Sequence, residues 1–146
     1  MKKVEVAAAI VMDEGKILCV QRGKNKLSYI SEKFEFPGGK IEEGESLKET
    51  VIRELKEELM LDVLPSKKFM TIQHQYPDFH LTMHAFICSC SNRNLKLTEH
   101  IGFKWLSPNQ LSHLDWAAAD IPIVEQITIM SMKTIIIVTE KQTSFR

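Results

Sequence analysis

Two periodicities run along this chain. Val4 to Met12 is a short, apolar, partly β-branched run, and ILCVQR follows it after the turn residues DEGK, which predicts an antiparallel hairpin. Three successive alanines, Ala7 to Ala9, permit a helix, but Gly15 ends the run before one of ordinary length. GKNKLSYISEK predicts a polar loop, and FEFPGG a short strand stopped by Pro37, with Gly38 and Gly39 free to take positive φ. KKFMTIQHQYP and HLTMHAFICSC predict a second antiparallel pair turning at Pro77 and Asp78. In the later strand Leu81, Met83, Ala85 and Ile87 should face the core, and His80, Thr82, His84 and Phe86 form a mixed opposite face. FKWL predicts a late strand, Ser107 and Pro108 open a short helix, and Asp120 to about Met130 predicts a closing one.

Between these strands the period changes to that of a helix. Ser46 with Glu49 makes a capping box, so the helix should begin at Leu47. Val51, Ile52, Leu55 and Leu59 fall on one apolar stripe directed at the core. Glu54, Glu57 and Glu58 share the neighbouring stripe at i, i+3 and i+4.

Composition narrows the class. The 146 residues fit one domain, expected over 1–130, followed by a tail at 131–146. Basic and acidic side chains balance at 19 each, so no net field draws the chain to nucleic acid or an anionic membrane. Cys19, Cys88 and Cys90 cannot all pair and form no C-x-x-C motif, which points to a reducing cytoplasm. Glu5, Asp13 and Glu14 interrupt the N-terminal apolar run, which therefore predicts a strand and not a signal peptide. In the tail, Thr134 to Thr139 is β-branched and apolar, so Ile135 to Val138 is expected to pair as a strand, on its own sheet or across a homodimer; monomer and homodimer both stay open.

A neutral chain that crowds seven glutamates between Phe36 and Leu61 needs a reason. A solvated face balanced by Arg53 and Lys56 is one. Against it, Glu54 and Glu58 repel at i,i+4, and Glu57 and Glu58 lie where the helix dipole disfavours anions. A glycine-rich segment also precedes the helix, as in phosphate-binding loops. An oxygen-only cluster suits Mg²⁺ or Mn²⁺ held jointly with substrate phosphates.

Gly39, then Glu45, then Arg53-Glu54-Leu55-Lys56-Glu57-Glu58 resemble the Nudix box at its fixed spacing. EFPGGK before the box, YPDFHLTMHAF after it and AADIP near the end are similar to the MutT-like branch, so the resemblance covers about residues 2–130. It implies an α/β/α sandwich around a mixed β-sheet and hydrolysis of a nucleoside diphosphate linked to another group. It also implies a metal site at Gly39, Glu54, Glu57 and Glu58, oriented by Arg53 and supported by Glu45. A further acid from outside the box often contributes, and Glu99 is either that acid or an exposed loop residue. Attack at the β-phosphorus would release a monophosphate and pyrophosphate, with a box glutamate or Glu99 taking the proton. Arg22 and Lys40 are each a phosphate ligand or a surface charge, and Phe36, Tyr76 and Phe79 each a stacking surface or plain packing.

In the oxidised-guanine branch the Asp120 position is Asn and the Phe79 position Arg. Asp120 here suits an exocyclic amine such as cytosine N4, or else caps the closing helix. HAF at 84–86 is likewise similar to the CTP pyrophosphohydrolase branch, so a cytidine-type nucleotide is expected first and an oxidised purine second. A non-catalytic nucleotide-binding module is a third reading, disfavoured because every box carboxylate is present. Met60 stands where the family has a glycine C-cap, so either the helix runs on or Met60 is strained in the left-handed region. His80, His84, Cys88 and Cys90 share a strand face, but i,i+4 positions on a strand lie ~13 Å apart, too far for one zinc ion.

Overall fold

The computed structural model describes residues 1–131. The expected strand at Ile135 to Val138 lies outside the described residues. The strands are β1 (Lys2–Asp13), β2 (Lys16–Gln21), β3 (Phe34–Glu35), β4 (Gly38–Lys40), β5 (Val63–Gln75), β6 (Phe79–Cys90) and β7 (Gly102–Leu106). Helix α1 spans Leu47–Leu59, 3₁₀ turns occupy Pro108–His113 and Ala118–Asp120, and a second helix, α2, runs over 121–131. The strands order as β3-β2-β1-β6-β5, with β4 added to β1 and β7 to β2. β1 and β6 pair in parallel and the other pairs are antiparallel, so the sheet is mixed.

Each face of the sheet carries a helix. Val51, Leu55 and Leu59 of α1 pack on Ala7, Ala9, Val11, Leu18 and Phe86. On the other face Ile123, Val124 and Ile127 of α2 pack on Ala8, Ile10, Ile17, Met83 and Ala85. The three alanines lie flat between the layers, and their alternation sends Ala8 to one core and its neighbours to the other. This is the expected α/β/α sandwich. Among the described residues no helix is long and apolar enough to cross a membrane.

The β1–β2 hairpin turns through Glu14 and Gly15, both at positive φ, the backbone that matches the twist of two antiparallel strands. Three local expectations are corrected. Ile52 is 43% exposed, because α1 seats Val51, Leu55 and Leu59 on the sheet and rotates Ile52 to the rim. In β6, Phe86 and Cys88 are buried while Ile87 is half-buried, because α1 covers the face that parity alone assigned as mixed. Gly38 and Gly39 are not at positive φ; they form β4, and a side chain at either would collide with its neighbours.

Candidate active site

The capping box at Ser46 and Glu49 starts α1 at Leu47, as its sequence predicts. At the other end Met60 adopts φ 51°, ψ 34° and its amide bonds back to Lys56, so the helix stops there in the left-handed conformation. The chain then returns to satisfy the open carbonyls: Lys96 N–H donates to Leu59 O at 2.7 Å and Thr98 N–H to Glu58 O at 3.0 Å. The Thr98 hydroxyl donates to Glu57 O and Glu58 O at 2.9 and 3.0 Å. That capping delivers Glu99 beside the end of α1.

Arg53 organises the carboxylates. Its Nε donates to Glu45 Oε2 at 2.7 Å, and one terminal nitrogen to Glu45 Oε1 and Lys40 O, both at 3.0 Å. The other terminal nitrogen donates to Glu54 Oε1 at 2.9 Å and Glu57 Oε2 at 3.2 Å. Arg53 and the Thr50 hydroxyl hold Glu45 down to about 2, a carboxylate ionised throughout the neutral range. Glu54 lies directly over Gly39, where an added Cβ would come within 2.3 Å of the Glu54 carboxyl carbon. Gly39 therefore serves the site by close approach. Gly38 serves the sheet, since its Cβ would sit 2.1 Å from Ala7 O.

Glu58 is in the opposite condition. It is 9% exposed, and its Oε2 is buried without a hydrogen-bond partner. Burial, then Glu54 alongside it, then the charges of Glu35 and Glu99, push its carboxyl up to about 9. Glu57, by contrast, is 59% exposed on the Arg53 side. Among the described residues no three acidic, histidine or cysteine side chains are grouped closely enough to hold a metal ion.

Glu58 opens on a cavity of about 540 Å³ that extends under β1 and β6 to Asp120. Of the residues singled out in the sequence, Arg22, Phe36, Gly39, Lys40, Glu58, Tyr76, Phe79, Glu99 and Asp120 line it. Glu45, Arg53, Glu54 and Glu57 are not among its lining residues. At the far end Tyr76 stacks on Tyr29 and tilts against Phe79, each with ring centres 5.1 Å apart, and its hydroxyl accepts the Ala119 amide. Phe36 stacks on Trp116 at 4.7 Å. Asp120 is buried and accepts the Phe36 amide at 3.0 Å. Burial and the charge of Glu35 push its carboxyl well above the ordinary range.

Three cavity residues carry no signal strong enough to single them out in the sequence: Glu35, His100 and Tyr29. Glu35 stands between the two ends, held by His100 at 2.9 Å and Arg22 at 3.4 Å. Tyr29 comes from the loop after β2, where its hydroxyl bonds Asp78 at the β5–β6 turn. The zinc-like set is scattered over other partners: His80 bonds Gln73 and Gln75, His84 bonds Thr71 and Glu5, and Cys88 is buried.

Comparison with known proteins agrees with this arrangement. The chain is 34% identical over 125 residues to the CTP pyrophosphohydrolase of Escherichia coli K12, covering 86% of this chain and 91% of that one. It is 28% identical over 127 residues to the 8-oxo-dGTP diphosphatase of the same organism, covering 87% and 98%. The solution structure of the E. coli ORF135 protein is similar at TM-score 0.74 and 32% identity, covering 91% of this chain and 92% of that one. The NUDIX domain model matches residues 1–127, and the chain belongs to the Nudix family of hydrolases.

Proposed function

We propose that this hydrolase cleaves a nucleoside triphosphate to the monophosphate and pyrophosphate, requires Mg²⁺ or Mn²⁺, and prefers a cytidine-type or modified base. The observation that carries this reading is one continuous cavity with the buried Glu58 carboxyl, its Oε2 unpaired, at one end and the aromatic-framed Asp120 at the other. A nucleotide has the same polarity, phosphates at one end and a base with donors at the other.

By oxygen chemistry and charge the acids suit a hard divalent cation. Glu58 is buried against Glu54 with Glu35 and Glu99 nearby, and a cation would relieve that repulsion and return Glu58 to its ionised form. Glu54, Glu57 and Glu58 would hold it beside Gly39, where it would neutralise charge on the phosphoryl oxygens. Arg53 fixes Glu54 and Glu57, and Glu45 anchors Arg53. Glu99, at the cavity wall, or a box glutamate accepts the proton of the attacking water, while Arg22 and Lys40 bind phosphate oxygens. Phe36, Tyr76 and Phe79 frame the base, and Asp120 accepts its exocyclic amine.

Phe79 and Asp120, together with the relative named for CTP, favour a cytidine-type base. The relative named for 8-oxo-dGTP supports an oxidised purine as the second reading. The test is a panel of CTP, dCTP, GTP and 8-oxo-dGTP with Mg²⁺, scored for pyrophosphate and orthophosphate. Pyrophosphate release, fastest with a cytidine nucleotide and abolished by chelator, is expected. Faster turnover of 8-oxo-dGTP would transfer the assignment to the second reading, and absence of pyrophosphate from every nucleotide would remove both.

A further inference from the structure

His100 is a buried polar side chain with one partner. Its imidazole is 4% exposed and lines the cavity, Nε2 lies 2.9 Å from Glu35 Oε2, and Nδ1 is buried without a hydrogen bond. An ionised carboxylate only accepts, so Nε2 carries the hydrogen and donates it. A buried polar atom left unpaired is destabilising, so burial of this ring is not explained by its own satisfaction.

What the ring does is hold Glu35. The Glu35 carboxylate stands between Glu58 and Asp120, close enough to push both upward. Its direct donors are His100 and, at the longer distance of 3.4 Å, Arg22. Without His100 the carboxylate keeps only the longer Arg22 contact, and a rotamer that swings it towards solvent is no longer opposed.

We propose that His100 is a positioning residue that fixes Glu35 midway along the cavity, where the carboxylate accepts a hydrogen bond from an N–H or O–H of the nucleoside. This rests on the nucleotide-hydrolysing reading above. A group between the metal-side acids and Asp120 meets the sugar or the near edge of the base, so the donor is a sugar hydroxyl or an exocyclic amine.

The experiment compares His100→Asn, whose amide stops near the Nδ1 position and does not reach Glu35, with His100→Gln, whose longer amide reaches it. KM and kcat are measured separately for CTP, for UTP, which lacks the amine, and for 2′,3′-dideoxy-CTP, which lacks both hydroxyls. His100→Asn should raise KM for CTP about tenfold or more, the loss of one hydrogen bond to a charged acceptor, and change kcat little. His100→Gln should recover most of that KM. The penalty should vanish with whichever analogue lacks the donor, which identifies its source. Glu35→Gln should reproduce the penalty, and combining it with His100→Asn should add nothing; it also carries the test should His100→Asn not fold. An equal KM penalty for all three nucleotides, or a lowered melting temperature with KM unchanged, overturns the proposal. A wild-type protein that releases no pyrophosphate from any nucleotide removes the functional reading itself, a result distinct from either.

Discussion

The two ends of the cavity are built in opposite ways. The carboxylate end comes mainly from one contiguous stretch, Gly39 to Glu58, folded on itself by a capped helix and tied by a single arginine, with Glu99 added from the segment before β7. The aromatic end is assembled from the loop after β2, the β3–β4 segment, the β5–β6 turn and the 3₁₀ turn at Ala118–Asp120, residues far apart in sequence. They also differ in electrostatic state. Glu45 is fully compensated and held near 2, whereas Glu58 and Asp120 are buried acids pushed upward. Of these two, Asp120 has its amide partner and Glu58 retains an orphan oxygen. A local motif can thus carry its own brace and still leave one group unsatisfied, and that group is where we propose that a ligand completes the structure.

Glu58→Gln is expected to have the largest effect and separates the two ends most sharply. It should lower kcat by about a hundredfold or more, as loss of a charged group that stabilises the reaction does. It should also raise the melting temperature of metal-free protein by ~3 °C or more, the shift that about 1 kcal/mol makes in a chain of this size. The sign follows from linkage. Glu58 keeps its proton when folded up to about 9 and loses it near 4.5 when unfolded, so metal-free protein loses stability as pH rises through that window. Melting curves of the wild type at pH 5, 7 and 9 should fall, and those of the variant should fall less.

The two adjacent glycines offer the next contrast. Gly38→Ala drives a Cβ into Ala7 O, backbone against backbone, and should cost about 2 kcal/mol or more in denaturant titration. Gly39→Ala meets only the Glu54 side chain, so it should leave stability closer to wild type while reducing kcat at least tenfold. If the two variants behave alike, the division between a sheet glycine and a site glycine is wrong.

At the aromatic end, Asp120→Ala leaves the buried Phe36 amide unpaired and should cost roughly 1–3 kcal/mol. Asp120→Asn keeps an acceptor for that amide but offers donors to the base, so it should change the CTP to 8-oxo-dGTP activity ratio more than the melting temperature. An unchanged ratio would confine Asp120 to holding Phe36. The smallest expected effect is at Met60, a non-glycine residue at φ 51°: Met60→Gly should stabilise by about 1 kcal/mol at most and leave turnover unaltered.

These contrasts also explain what could be read from the sequence. Helix α1, its capping box, both hairpins and the spacing of the box carboxylates are local patterns, and local patterns survive in sequence. Gly38 and Gly39 were legible as special but not for the right reason, because close approach and positive φ both select glycine and only the neighbours distinguish them. Ile52 and Phe86 depended on where a helix settles across the sheet, which periodicity leaves free by a fraction of a turn. Glu35, His100 and Tyr29 become site residues only when β3, the segment before β7 and the loop after β2 meet at the cavity. For His100 no pattern in LTEHIGFKW separates a buried ring from an exposed one.

We propose that Glu58, buried at the end of α1 with its Oε2 unpaired, is completed by a divalent cation. Calorimetric titration of Mn²⁺ into chelator-treated protein at pH 7.5, repeated in buffers of different ionisation enthalpy, measures both binding and protons released. With Glu58 holding its proton up to about 9, saturable binding should release ~1 proton per cation, and Glu58→Gln should weaken binding and abolish the release. Saturable binding with no proton release, or the same release from the variant, would contradict the account.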